Sequence, residues 1–302
     1  MGKMISYENK NFSIVGDSIS TLWGCNPNGY EVFYTWDNCV LANVFSSADT
    51  WWGRVIEKLG GFRLINNSFS GSMVCKDFSC EIESYGCSDE RTSNLGTEEE
   101  NPDVVMILMG LNDFGMGMKL YPAGNARKKL LAYQSFSCSP TMQNGEVDSS
   151  NFPCDESGNA RKKLLAYHSF SCSPTMQNGE VNPSNFPCDE SGNDFSVFSV
   201  AYDTMLKKIK KNYPEAEIWC LTLPCGYRKN EPDQRPSLVR HGHHLSEYCD
   251  VIRACAKENG CVLLDIFHPE APYDTIDDYH PNLDGMKTIA DDVLLALERW
   301  ES

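Results

Sequence analysis

The sequence predicts an α/β protein: a three-layer α/β/α sandwich built on a five-stranded parallel sheet. Three observations carry the prediction. Five short apolar segments recur at residues 12–15, 63–66, 103–109, 217–223 and 261–267. Stretches with a helical apolar period lie between them. The segments also read as unbroken apolar runs, as strands covered by helices on both faces do, and parallel strands need the crossover helices that the intervening stretches supply.

Taken in order, residues 12–15 (FSIV) form a first strand that runs into Gly16-Asp17-Ser18-Ile19-Ser20. A first helix follows, because Trp52, Val55, Ile56 and Leu59 share one stripe. Residues 63–66 supply the second strand, ending in Asn66-Asn67-Ser68-Phe69-Ser70-Gly71, and residues 103–109 the third, ending in Gly110-Leu111-Asn112-Asp113. Phe198, Ala201, Tyr202, Met205 and Ile209 form the next helical stripe, residues 217–223 the fourth strand, 245–258 a further helix and 261–267 the fifth strand. A last helix carries Met286, Ile289, Ala290, Val293, Leu297 and Trp300. Residues 22–47 show no period and are expected as a loop. In such sheets ligands sit beyond the carboxyl ends of the strands, so the chemistry is expected there.

One long interval breaks the alternation. Residues 124–157 recur as 158–191 with three of 34 positions changed, Gln134 to His168, Asp148 to Asn182 and Ser149 to Pro183. After RKKLLAY each unit is rich in Ser, Pro, Asn and Gly without a 3.6-residue apolar period, so it is not a helical solenoid. Near-identity reads as a tandem duplication. A single domain over 1–302, interrupted by an insertion at about 114–193 that carries no chemistry of its own, is therefore expected.

With 302 residues and 41% hydrophobic content the chain can bury a core without metal or disulfide support. The net charge of −16, from 42 acidic and 26 basic side chains, argues against nucleic acid or an anionic membrane as partner, since both need a clustered basic surface. A small-molecule substrate fits better, and the charge leaves oligomeric state open. The longest apolar run, residues 104–109, is far short of the roughly 20 residues that span a bilayer. The first residues lack the apolar stretch and cleavage site of a secretory signal. A cytoplasmic location is expected on that ground, or a secreted one if a leader has been removed. The 14 cysteines then read as free thiols, although pairing of Cys138 with Cys154 and of Cys172 with Cys188 is open in an oxidising medium.

Three strand ends and one loop bear reactive residue types. Ser18 follows a buried strand through a glycine turn, where a hydroxyl can be held rigidly, although Gly-Asp-Ser is also ordinary turn chemistry. Gly71 and Asn112 stand at the same sheet edge and offer a backbone N–H and a side-chain amide to one spot, as an oxyanion site needs, although Gly and Asn also simply form turns. A serine hydroxyl needs a general base, and the base a carboxylate that fixes its tautomer. Asp277 and His280 are three apart ahead of the last helix, close enough for that pairing, with Asp278 as a competing carboxylate.

Together the four segments, GDSIS at 16–20, Gly71, GLND at 110–113 and DDYHPN at 277–282, resemble the blocks of the SGNH/GDSL hydrolase family, over residues 11–300 apart from the insertion. The resemblance implies the flavodoxin-like fold of that family and a serine esterase working through an acyl-enzyme. It assigns Ser18 as nucleophile, His280 as general base and acid, and Asp277 as its orienter. The Ser18 N–H, the Gly71 N–H and the Asn112 side chain would form the oxyanion hole. Neither metal nor cofactor is implied. The expected substrate is a short acyl ester, an O-acetyl group on a carbohydrate in particular. The alternatives are a lysophospholipase or acyl thioesterase, and an interaction protein with a vestigial site. Asp17, Trp23 and His243 are candidate substrate contacts. Trp23 and Trp36 could wall the site or pack, and Arg240-His241-Gly242-His243-His244 could hold a metal, contact substrate or lie in solvent. The absence of any Cys-x-x-Cys speaks against a zinc knuckle.

Overall fold

The computed structural model describes residues 6–76, 84–120, 194–228 and 238–301. The duplicated units, residues 121–193 of the insertion and the two cysteine pairs within it lie outside those residues.

Nine strands and seven α-helices are present among the described residues. The strands are β1 (Asn11–Gly16), β2 (Phe62–Asn66), β3 (Val104–Leu108), β4 (Glu217–Leu221), β5 (Gly226–Arg228), β6 (Val239–Arg240), β7 (His243–His244), β8 (Val262–Leu264) and β9 (Tyr273–Thr275). The helices are α1 (Trp36–Ala42), α2 (Trp51–Leu59), α3 (Asp89–Ser93), α4 (Leu111–Met116), α5 (Phe198–Asn212), α6 (Leu245–Glu258) and α7 (Leu283–Glu301). Five strands form one sheet in the order β2-β1-β3-β4-β8, every pair parallel. The chain order reverses between β1 and β3, the point at which doubly wound sheets bind ligands beyond their carboxyl ends.

Both faces of the sheet are covered, which explains the unbroken apolar runs. The whole of β3 (VVMIL) is buried, yet its side chains divide by the period of two that a pleated strand imposes. Val105 and Ile107, with Val15, Ile218 and Cys220, pack under α5 and α6. Val104, Met106 and Leu108, with Phe12, Ile14, Trp219 and Leu221, pack under α2 and α7. The α2 stripe predicted from Trp52, Val55 and Ile56 is buried in that second layer, and the helix is closed at its start by Thr50, whose side chain accepts from Gly53 N, and at its end by Gly60 at φ 72°. The seven-residue stretch from Trp36 to Ala42 is not loop as expected. Residues 36–42 form α1, invisible to periodicity because Trp36, Val40 and Leu41 face outward and leave only Cys39 and Ala42 buried.

Nine cysteines, at 25, 39, 75, 87, 220, 225, 249, 255 and 261, are free thiols. No helix among the described residues is long and apolar enough to cross a membrane.

Candidate active site

The turn after β1 is fixed from below. Asp17 is 2% exposed and its Oδ1 accepts from Ile19 N, 3.1 Å away, which caps a 3-10 turn over Ser18–Ser20. The substrate contact expected of Asp17 is therefore corrected: its carboxylate is spent inside the turn. Burial pushes its pKa up to about 6, against the Ile19 N–H bond that lowers it. Two indoles brace the same turn, Trp51 Nε1 donating to Ser20 Oγ (3.2 Å) and Trp52 Nε1 to Ser20 O (3.0 Å).

Ser18 thereby meets a residue 262 positions away. Its Oγ lies 2.8 Å from His280 Nε2, and His280 Nδ1 lies 2.6 Å from Asp277 Oδ2. A carboxylate only accepts, so Nδ1 carries the ring proton and Nε2 is left to accept from the serine hydroxyl. The other oxygen, Asp277 Oδ1, accepts from Tyr279 N (2.8 Å) and His280 N (2.7 Å), folding residues 277–280 into a turn that aims the ring. Asp277, not Asp278, holds the histidine; Asp278 is exposed. Two further contacts set this loop. Phe33 stacks on the His280 ring at 3.3 Å between centroids and 8° between planes. Tyr34 Oη donates to Pro281 O, 2.6 Å away. No sequence signal marked Phe33, since a lone aromatic in an aperiodic loop carries none.

The oxyanion side is braced as firmly. Gly71 sits at φ 76°, a left-handed backbone that L side chains rarely adopt, at the exposed tip of the loop after β2. Gly110, at φ 131°, starts α4 where a Cβ would stand 3.0 Å from the Phe198 ring. Asn112 in α4 donates one Nδ2 hydrogen to Ser72 O (3.0 Å), and an amide has a second to offer. Asp113, fully buried, accepts from Val74 N and Cys75 N, both at 2.9 Å, which ties the loop after β2 to the end of β3. Burial raises the Asp113 carboxyl, and those two backbone bonds oppose the rise.

Beneath both sides lies Arg91 at the start of α3, 0% exposed. Its Nη2 donates to Gly16 O (2.8 Å) and its Nη1 to Ser72 Oγ (2.8 Å) and Ser84 Oγ (3.1 Å). One buried cation thus bonds the backbone just before Ser18 and the residue just after Gly71. Burial draws the guanidinium pKa down to about 10. Sequence reading passed over Arg91, because α3 is short and its long-range bonds leave no local pattern.

The remaining candidates separate. Trp23 is 69% exposed, five residues after Ser18, and Trp36 is 66% exposed, its ring against Phe45. His243 lies in the β6–β7 hairpin, with Nδ1 3.6 Å from a Glu247 carboxylate oxygen and its ring edge-on to Tyr248. The substrate contact expected of His243 stays an expectation: the side chain is partly exposed beside Glu247. His244 caps α6 through Nδ1, which accepts from Ser246 N, and His241 Nε2 faces Gly115 O. Among the described residues no group of three or more His, Cys, Asp or Glu is placed to hold a metal ion.

Comparison with known proteins follows the same lines. Residues 10–144 match the family model of the GDSL-like Lipase/Acylhydrolase. A solved structure described as a GDSL-like lipase from Bacteroides ovatus ATCC 8483 superposes with a TM-score of 0.57 at 19% identity, over 97% of this chain and 99% of that one. A second, from Bacteroides uniformis ATCC 8492, gives 0.57 at 21% identity over 96% of each chain. A possible lipase from Chitinophaga pinensis DSM 2588 gives 0.50 at 15% identity over 96% of this chain and 98% of that one. At these identities the likeness establishes the fold. No curated protein matches the chain.

Proposed function

We propose that this chain, whose residues 10–144 match the GDSL-like lipase/acylhydrolase model, is a member of that family and a serine esterase that cleaves carboxylic esters through an acyl-enzyme on Ser18. The observation that carries the reading is the bonded line from Asp277 Oδ2 through His280 to Ser18 Oγ, with steps of 2.6 and 2.8 Å. In the first half-reaction His280 Nε2 takes the hydroxyl proton as Ser18 Oγ bonds to the ester carbonyl carbon. Asp277 stabilises the resulting imidazolium. The tetrahedral oxygen faces the N–H groups of Ser18 and Gly71 and the free Nδ2 hydrogen of Asn112. Collapse breaks the ester C–O bond, and the leaving alkoxide receives the proton from His280. Water then attacks the acyl-enzyme by the same route and releases the acid.

The acyl group we assign is short, O-acetyl first, with a carbohydrate as the alcohol. Its support is Trp23 and Trp36, large exposed aromatic faces on the loop and helix that follow the nucleophile turn, of the kind that sugar rings stack on. An acidic chain of net charge −16 also suits a neutral ester better than an anionic lipid. A fluorophosphonate probe tests the reading. It should place one adduct, on Ser18, and abolish hydrolysis of 4-nitrophenyl acetate in proportion. An adduct elsewhere with hydrolysis lost, or full labelling of Ser18 with hydrolysis intact, overturns it.

A further inference from the structure

His280 is gripped at its two ring nitrogens, by Asp277 Oδ2 at Nδ1 (2.6 Å) and by Ser18 Oγ at Nε2 (2.8 Å). Both grips lie at the edge of the ring, and neither bears on its flat face. Phe33 does, with its phenyl parallel to the imidazole within 8° at 3.3 Å between centroids. The His280 side chain is left 17% exposed, so the ring is largely shielded from water. The place of Phe33 is set from the nucleophile. Its N–H donates to Thr21 Oγ1 (3.0 Å), and that hydroxyl donates to Ser18 O (2.8 Å). Its carbonyl accepts from Asn38 Nδ2 (2.7 Å) and Thr35 N (2.8 Å). Tyr34 closes the other side: fully buried, it sets its ring edge-on to Phe33 (5.1 Å, 81°) and donates from Oη to Pro281 O (2.6 Å), the residue after His280. Residues 33 and 34 thus tie the backbone of Ser18, through Thr21, to the histidine loop.

Two neutral aromatic rings avoid such an arrangement, because their quadrupoles favour offset or edge-on contacts with centroids about 4.5–7 Å apart. An eclipsed face at 3.3 Å suits a ring that carries positive charge: the negative face of a phenyl attracts a cation, the more so where water is excluded. His280 gains that charge whenever Nε2 takes the Ser18 proton, so the stack is built for the charged state rather than the resting one. We infer that Phe33 is a positioning residue for the reaction, whose ring holds the plane of the imidazole between Asp277 and Ser18 and whose π face stabilises the imidazolium. The inference rests on the serine-esterase reading and adds to it. It asks nothing of the ester, and holds for any acyl group or alcohol.

Replacing Phe33 in the full chain by mono-, di- and pentafluorinated phenylalanine keeps the shape of the ring and drains charge from its face in steps. For 4-nitrophenyl acetate, kcat should fall at each step, by roughly two- to thirtyfold over the series, which is the range of a cation–π contact converted at about 1.36 kcal/mol per tenfold. KM should stay nearly unchanged. Phe33→Leu, which also removes the flat face, should fall at least as far, and Phe33→Tyr should recover most of the loss. A kcat that stays constant across the fluorinated series overturns the inference, whatever Phe33→Leu does, because packing alone does not respond to ring charge. A loss confined to KM overturns it too. If Phe33→Leu does not fold, the fluorinated chains still decide. Ser18→Ala separates the two readings. A flat series in a protein whose turnover needs Ser18 leaves the esterase standing and removes the role of Phe33, whereas turnover that survives Ser18→Ala removes both.

Discussion

The floor of the site and its rim are built in opposite ways. Beneath Ser18 and Gly71 the polar groups are buried and cross-bonded: Asp17 to Ile19 N, Asp113 to Val74 N and Cys75 N, and Arg91 to Gly16 O and Ser72 Oγ. Along the stretch that follows the Ser18 turn, by contrast, Trp23, Trp36 and Phe45 are 69%, 66% and 52% exposed. Buried bonds fix atoms to fractions of an ångström, which bond-making needs. Exposed aromatic faces fix little and can meet many alcohols. Under the proposed esterase reading, the buried groups hold the reacting atoms and the exposed aromatic faces are free to meet the alcohol.

Substitutions in the floor should therefore reduce kcat and leave KM nearly alone. Asn112→Ala, at the residue bonded to Ser72 O beside that floor, is expected to lower kcat for 4-nitrophenyl acetate by roughly 10²- to 10³-fold. An equal rise in KM instead would place Asn112 on the rim side of the comparison.

Arg91→Met comes next. It strands Gly16 O and two serine hydroxyls in the interior, a cost of about 3 kcal/mol in stability, and loosens the nucleophile turn from the oxyanion loop. Kcat should fall roughly tenfold to a hundredfold at unchanged KM, and added guanidinium should restore part of the rate of Arg91→Ala. A stability loss with kcat untouched and no rescue would reduce Arg91 to packing alone.

The smallest expected effect concerns Asp17. Its folded pKa is raised to about 6 from the model-peptide value of about 3.9. The folded state holds that proton more tightly, so the associated stability is full below about pH 4 and is lost as pH rises to about 6, an upper bound of about 3 kcal/mol. Asn keeps the cap without the charge. Stability of wild type minus Asp17→Asn, from urea titration, should fall between pH 4 and 6 and then stay level. A difference that does not change with pH contradicts the buried-carboxyl account.

The same contrast explains what could be read from the sequence. The large sheet was legible because each strand is a contiguous apolar run, and residues 104–108, expected within 103–109, needed only both faces covered. The line from Ser18 to His280 was legible because its members sit in short dense segments at strand ends, GDSIS and DDYHPN. Arg91 and Phe33 were not. Each acts across the fold, Arg91 on a backbone 75 positions away and Phe33 on a ring 247 positions away, and no local pattern encodes such a contact. Asp17 was misread for a related reason. A polar side chain near a site shows in sequence, but whether it turns inward to cap its own backbone, as Asp17 does, depends on backbone angles that composition does not reveal.

In the proposed reaction Ser18 Oγ is the atom that takes the acyl group. Turnover of 4-nitrophenyl acetate by purified Ser18→Ala, with its fold checked by circular dichroism against wild type, tests it most directly. The variant should be folded, with kcat lower by roughly 10⁴- to 10⁶-fold. A folded Ser18→Ala that turns over the ester at the wild-type rate contradicts it.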